Sequence, residues 1–121
     1  MNIHKKTLVR LLIENIKKFD IMRNIFYTKK KDSYEGLSMF EIVNYSLCIK
    51  KYLLGLGLKK NSNLAIISEN RIEWVITDLA CMFTNNVSVP VYPSLTSESI
   101  KYILNDCKAE VVFVSTALQL E

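Results

Sequence analysis

The sequence predicts an α/β domain built on a short parallel sheet, and two observations lead to this prediction. Three short apolar runs lack the polar–apolar alternation of half-exposed strands, as strands covered on both faces do. They are residues 64–67, 87–91 and 111–114. Helical patterns over residues 71–85 and 97–107 separate these runs, so the order is β-α-β-α-β. Such an order is typical of parallel strands joined by right-handed helical crossovers.

Three further elements are expected before the sheet: a helix, a hairpin and a second helix. Leucine and isoleucine recur at helical spacing over residues 7–19, which predicts the first helix. Two short apolar segments, 25–28 and 34–37, flank a polar turn and predict a β-hairpin. The second helix is expected over residues 38–56, because Ser38 and Glu41 have the spacing of a capping box and Gly57 suits the position after a helix.

The helix starts and apolar faces are also expected from local signals. Asn70 is expected to cap the helix over 71–85, with Glu73 completing a capping box, and Thr96 to cap the helix over 97–107. The side chains expected to face the core recur at helical spacing. They are Leu8, Leu11, Leu12, Ile16 and Phe19; Ile42, Tyr45, Ile49, Tyr52, Leu53 and Leu56; Ile72, Val75, Ile76, Leu79, Met82 and Phe83; and Ile100, Ile103, Leu104 and Cys107.

The last predicted element is a helix that begins at Ser115 or Thr116. A three-stranded parallel sheet with so few helices would have two bare edges and incompletely covered faces. We therefore expect the domain to continue beyond Glu121.

Composition excludes several classes of protein. The 121 residues are 50% apolar and 23% charged, which suits a folded chain rather than a disordered one. The net charge of +4 comes largely from lysine, and no nucleic-acid recognition motif accompanies it, so we interpret it as solvated surface. The longest uncharged stretch, residues 79–97, contains Pro90 and Pro93 and is not a membrane span. Three widely spaced cysteines predict neither a disulfide framework nor a zinc site, and we expect a cytoplasmic protein.

Several isolated residues are of types that often have catalytic or binding roles, but the sequence around them does not favour such roles. His4 is the single histidine and lies near the N-terminus, so a catalytic or metal-binding role is not expected. Cys48 is expected to be exposed and inert, and Cys107 to lie in the core. The run Lys29–Lys31 resembles a phosphate-binding patch, but lysines in a turn are more often solvated. Trp74 is expected to pack against a second layer of the fold rather than to form a contact surface for a ligand.

The loop over residues 91–96 is a stronger candidate. It leaves the carboxyl end of a predicted parallel strand and enters a helix N-terminus, which is where ligands of open α/β sheets tend to bind. The alternative is an ordinary strand-to-helix turn. The glycine-rich phosphate loops and the G-x-S-x-G nucleophile elbow are absent from the sequence.

Four segments together resemble the N-terminal part of an AMP-forming acyl-CoA synthetase, with the long-chain fatty acid branch the nearest in pattern. They are SENRIEWVITDLA (68–80), VPVYPSLT (89–96), YILND (102–106) and VVFVS (111–115). The resemblance covers residues 34–121 and implies an α/β fold, the partial N-terminal domain of an adenylate-forming enzyme. It divides the chain into residues 1–33, an N-terminal helix and hairpin strand, and residues 34–121, the start of the large AMP-binding domain.

Enzymes of this family use ATP, Mg²⁺ and coenzyme A to convert a fatty acid into its acyl-CoA. The resemblance implies these partners for a full-length relative, while no cofactor is expected on this segment. The phosphate loop, the adenine and ribose contacts and the catalytic lysine of such enzymes match no residue here, so we expect no catalytic residue and no activity from the segment alone. By resemblance, Tyr92 and Ser94 lie on the coenzyme A side, although Pro93 and Ser94 stand where some relatives have glycine.

Two other interpretations stay open. The chain could be a stand-alone α/β binding or interaction module that pairs through its basic surface or its exposed sheet edges. A nucleic-acid binder is a weaker alternative and would bind with a steep salt dependence. Peripheral association with a membrane is compatible with the sequence, and the oligomeric state is not predicted.

Overall fold

The computed structural model describes residues 7–16 and 18–120, and its elements follow the predicted order. The helices and strands are α1 (Leu8–Ile16), β1 (Asn24–Lys29), β2 (Tyr34–Ser38), α2 (Met39–Gly55), β3 (Asn63–Ile67), α3 (Ile72–Phe83), β4 (Val87–Val91), α4 (Ser97–Asp106) and β5 (Val111–Val114). A 3₁₀ turn over Ala117–Leu120 follows, where the sequence predicts the start of another helix.

The strands form the predicted hairpin and the predicted parallel sheet. β1 and β2 pair antiparallel, and β3 lies at the centre of a second sheet, parallel to both β4 and β5. Residues Leu64–Ile67 of β3 are all buried, whereas β4 and β5 are edge strands and are largely half-exposed. The expectation that all three strands are covered on both faces is therefore correct for β3 and wrong for its neighbours.

Successive residues of β3 pack on opposite faces of the sheet. Leu64 contacts a buried cluster that includes Leu53 of α2 and Cys81 of α3. Ala65 packs on the other side, in a cluster with Ile103 of α4. This alternation, which is the two-residue period of a strand, places α2 and α3 on one face of the sheet and α4 on the other.

The capping of α2 is as predicted. Glu41 donates its backbone N–H to the Ser38 hydroxyl (3.3 Å), and its carboxylate accepts the Ser38 backbone N–H (2.8 Å). The bond from the Ser38 backbone N–H, followed by a bond from the Ser38 hydroxyl to the same carboxylate (2.7 Å), lowers the pKa of Glu41 below its usual 4.5. At the other end, Gly57 has φ +70°, the left-handed conformation expected just after a helix.

The buried face of α2 differs from the predicted one. Tyr45, Tyr52 and Leu56 are exposed, and the buried positions are Ile42, Ser46 and Leu53. Ser46 tolerates burial because its hydroxyl donates to the Ile42 carbonyl oxygen one turn earlier (2.8 Å). A polar residue that is satisfied within its own helix gives no apolar signal, which is why the sequence pattern misplaced this face.

The start of α3 also corrects the sequence analysis. Arg71, not Asn70, is the N-cap residue, and no side chain caps this helix. Glu73 takes no part in a capping box, because its two carboxylate oxygens accept hydrogen bonds from the Arg71 guanidinium at 2.8 and 3.0 Å. The ion pair thus occupies both side chains at the helix start.

Apart from Ile76, the buried positions of α3 carry small residues. Ile76, Thr77, Ala80 and Cys81 are buried, while the other predicted core positions, among them Met82, are half-buried. Small side chains allow α2 and α3 to approach each other closely, and this contact selects the buried face more strongly than apolar periodicity does.

Of the two remaining helices, α1 is shorter than predicted and α4 is close to its predicted length. α1 ends at Ile16 rather than Phe19, and Phe19 is 72% exposed. After the helix, the Asp20 carboxylate accepts the Met22 backbone N–H (3.0 Å) and forms a turn. α4 begins as predicted, with the Thr96 hydroxyl accepting the Ser99 backbone N–H (3.3 Å). In the described residues no helix is long and apolar enough to cross a membrane.

Candidate functional site

The most promising site lies where the loops after β3 and β4 part. The helix after β3 lies on one face of the sheet and the helix after β4 on the other. The two loops therefore diverge at the carboxyl ends of neighbouring parallel strands. This is the topological switch point at which open α/β sheets bind their ligands.

A cleft of about 420 Å³ occupies this position. One wall comes from the loop after β3 and the first turn of α3, and the other from the end of β4 and the loop that follows it. The lining residues are Ser68, Glu69, Asn70, Trp74, Pro90, Val91, Tyr92 and Pro93. We call this feature the switch-point cleft.

Aromatic and proline surfaces dominate the switch-point cleft. Tyr92 is 77% exposed, Trp74 is half-buried and Pro93 stands beside them. Flat apolar surfaces of this kind suit a planar ring, which gains offset stacking in addition to burial. The cleft is thus chemically able to hold an aromatic or heterocyclic group.

A carboxylate ties one wall of the cleft to the neighbouring strand. Ser115, directly after β5, donates its hydroxyl to Glu69 Oε2 (2.7 Å) and its backbone N–H to the Ile67 carbonyl oxygen (3.1 Å) and to Gln119 Oε1 (2.9 Å). The pKa of Glu69 is lowered from its usual 4.5, and the hydrogen bond from Ser115 is the largest cause of this shift. Glu69 is therefore ionised at neutral pH and gives this rim a negative charge.

The structure separates the two residues assigned to the loop after β4. Tyr92 lines the cleft, whereas Ser94 is exposed and lies outside the lining. The loop is a turn in which the Leu95 backbone N–H donates to the Tyr92 carbonyl oxygen (3.2 Å). Part of the Trp74 side chain is buried and part faces the cleft, so this residue both packs in the fold and lines the site.

The other candidate residues lie away from the cleft. Lys29, Lys30 and Lys31 are exposed at the hairpin turn, and Lys30 pairs with Glu35 (3.3 Å). His4 lies outside the described residues.

The cysteines do not form a site together. Cys48 is exposed, Cys107 is half-buried and Cys81 is buried. Burial raises the pKa of the Cys81 thiol to about 11, with a further contribution from the charge of Asp78. In residues 7–16 and 18–120 no three histidine, cysteine or acidic side chains are grouped as a metal site would require.

Glu69 and Ser115 are the residues that the sequence analysis missed. They are 46 positions apart, and although each lies in a segment that carries the family resemblance, no spacing rule pairs them. A signal did exist, because each follows a predicted parallel strand and the carboxyl ends of such strands meet at one edge of the sheet.

Comparison with known proteins identifies the class to which this fold and cleft belong. A family model described as "AMP-binding enzyme" matches residues 21–121. The chain therefore belongs to the AMP-binding enzyme family, as the resemblance in its sequence predicted.

Individual relatives narrow the class. The chain is 31% identical over 93 residues to the long-chain-fatty-acid–CoA ligase ACSBG1 of Rattus norvegicus, which covers 77% of this chain and 13% of the relative. It is 32% identical over 115 residues to fatty acyl-CoA synthetase B of Dictyostelium discoideum, covering 90% of this chain and 17% of the relative. The chain is thus homologous to long-chain fatty acid–CoA ligases and spans less than a fifth of the length of either relative.

Solved structures support the same fold. IdnL1 superposes with a TM-score of 0.80 at 16% identity, covering 90% of this chain and 22% of IdnL1. The NpsA N-terminal subdomain of Klebsiella oxytoca gives 0.76 at 22% identity, covering 93% of this chain and 28% of that one. At these identities the likeness concerns the fold, and it confirms the predicted α/β fold.

Proposed function

We propose that residues 1–121 form the opening part of the large N-terminal domain of a long-chain fatty acid–CoA ligase. The reaction of the whole enzyme would convert ATP, fatty acid and coenzyme A into acyl-CoA, AMP and pyrophosphate. The observation that carries the proposal is the family match over residues 21–121, which includes the whole parallel sheet at the switch-point cleft. In this proposal residues 1–33 are a leading helix and hairpin strand, residues 34–121 begin the AMP-binding domain, and the enzyme works in the cytoplasm.

The segment would contribute scaffold and one wall of a binding site rather than reacting groups. The described residues offer no acidic cluster for Mg²⁺, so they do not fit that ion, and we assign no reaction step to it here. Asp78 lies on α3 and accepts a hydrogen bond from the Ser88 hydroxyl of β4, which makes it a scaffold residue. ATP and Mg²⁺ would be bound by residues outside this sequence.

Fatty-acid-dependent exchange between ATP and pyrophosphate tests this proposal. We expect no exchange from purified 1–121, and exchange from a longer protein in which the segment is followed by the remainder of the ligase. Exchange by 1–121 alone would show that the adenylation site lies within these residues and would overturn the proposal.

Solution behaviour separates the proposal from the rival stand-alone module. Large apolar side chains are exposed on several elements, among them Leu8 of α1 and Val112 of β5. If more of an enzyme domain normally covers such positions, 1–121 should bind a hydrophobic dye. A monodisperse chain that unfolds cooperatively and binds no dye would favour the module.

We also propose that the loop after β4 lies on the coenzyme A side of the enzyme, with Tyr92 and Ser94 as its contact residues. The exposure of Tyr92 in the switch-point cleft supports this placement for Tyr92 more strongly than for Ser94. In an intact enzyme that contains this segment, Tyr92→Ala with Ser94→Ala should raise the KM for coenzyme A and leave the KM for ATP unchanged. Tyr102→Ala is the matched control, because Tyr102 is 70% exposed on α4 and lies outside the cleft lining. An unchanged KM for coenzyme A would contradict the assignment.

A further inference from the structure

A second large cavity lies at the opposite edge of the sheet from the switch-point cleft. It is a groove of about 700 Å³ between α1, the middle of α2 and the end of α3, close to the amino ends of β3 and β4. We call it the α1–α2 groove. Its volume falls within the range of about 300–1,000 Å³ that is typical of small-molecule sites.

The α1–α2 groove has an apolar wall and a polar end. Leu8 and Val9 of α1, Leu47 of α2 and Phe83 of α3 belong to the wall. α1 has no fully buried residue, and Leu8 is 67% exposed. An alkyl chain seated along this wall would remove apolar surface from water, which is the main source of affinity for such a ligand.

Among the described residues, the lining of the groove carries one cation and no carboxylate. Lys50 is half-buried and lines the groove together with Asn61, Asn85 and Asn86, and the described lining contains neither Asp nor Glu. Lys50 is also absent from the ion pairs found in residues 7–16 and 18–120. An ammonium group on a largely apolar wall is complementary to a carboxylate at the end of an alkyl chain.

We propose that the α1–α2 groove binds a fatty acid in its carboxylate form, with the alkyl chain along α1 and α2 and the carboxylate at Lys50. The site lies away from the switch-point cleft and does not depend on the ligase reaction. A loss of binding and a loss of adenylation can therefore be observed separately.

Calorimetric titration of 1–121 with laurate below its micelle concentration tests the charge in this proposal. Dodecyltrimethylammonium is the control ligand, because it has the same alkyl length and the opposite head charge. We expect saturable 1:1 binding of laurate and binding at least about tenfold weaker for the cationic probe. Equal binding of the two probes would overturn the proposal without any variant that could fail to fold.

Two neighbouring lysines provide matched variants. Lys50→Gln should weaken laurate binding by about tenfold. Lys51→Gln should leave it unchanged, because Lys51 is exposed and lies outside the groove lining. Far-UV circular dichroism of both variants should match that of the parent chain. Unchanged laurate affinity in a folded Lys50→Gln variant would overturn the assignment of the carboxylate.

The position of the alkyl chain needs its own measurement. Stearate carrying a nitroxide near its methyl end should broaden the amide NMR signals of residues 8–13 and 43–50 and spare those of α4. Leu47→Asp should reduce this broadening, and Leu47 is 43% exposed, so the substitution is compatible with folding. Broadening centred on α4 would place the ligand elsewhere and overturn the proposal.

Discussion

Replacement of Leu53 by alanine tests the packing that joins α2 to the central sheet. Leu53 is 1% exposed and packs against Leu64, Ala80 and Cys81, none of which has any exposed surface. Because the site is closed on all sides, truncation should cost both the lost transfer free energy and a cavity term, about 3 kcal/mol in total. Leu54 is the next residue in the helix and is 62% exposed, so Leu54→Ala should change the free energy of unfolding by less than about 0.5 kcal/mol.

Urea unfolding followed by the fluorescence of Trp74, the single tryptophan, measures this difference. With a denaturant dependence of about 1–3 kcal/mol per molar urea, Leu53→Ala should lower the unfolding midpoint by roughly 1–3 M. The slope should stay the same, since both variants expose the same surface on unfolding. Equal midpoint shifts for the two variants would mean that Leu53 is not enclosed, and the assignment of α2 to this face of the sheet would be wrong.

Three other predictions follow from local features. Ser38→Ala removes the capping box of α2 and should cost about 1 kcal/mol, seen as a lower thermal midpoint; an unchanged midpoint would mean that the cap is not formed in solution. Gly57→Ala should destabilise the chain by about 1 kcal/mol because φ is +70°. Gly55 is the last residue of α2 and has open space around it, so Gly55→Ala should stabilise the chain by up to about 0.5 kcal/mol; shifts of the same sign in urea unfolding would contradict this geometry. At pH 8 a thiol reagent should modify the exposed Cys48 and spare Cys81, whose pKa is about 11, until the protein unfolds; rapid labelling of Cys81 in the native state would show that it is accessible.

Features determined by short-range signals could be predicted from the sequence. The three apolar runs became the parallel sheet, and the caps at Ser38 and Thr96 formed as their spacing indicated. The buried helix faces could not be predicted in full, because Ser46 and Thr77 are buried polar residues and each hydroxyl is satisfied within its own helix. Burial of this kind depends on the element against which the helix packs. The apolar periodicity of a single helix does not specify that element.

The candidate site was also predictable only in part, namely where a local signal in the sequence indicates it. The loop over residues 91–96 was singled out because the loop after a parallel strand is a general ligand position, and its Tyr92 lines the cleft. The coenzyme A contact of Tyr92 and Ser94 stays a prediction. The contact between Glu69 and Ser115 was missed, because it requires knowing that β5 pairs directly with β3 and not with β4. Strand order is a property of the assembled sheet, and the order of strands along the chain does not specify it.

The two cavities differ in what determines them, and this difference allows a combined test. The switch-point cleft follows from the topology, because any sheet with this strand order separates its loops at that point. The α1–α2 groove follows from particular side chains, above all Lys50, at an edge of the sheet where topology provides no cleft. In an intact enzyme containing this segment, Lys50→Gln should therefore leave the KM for coenzyme A unchanged, and Tyr92→Ala should leave laurate affinity unchanged in 1–121. If either variant changed the other measurement, the two cavities would be energetically coupled through the sheet, and independent assignment of their ligands would fail.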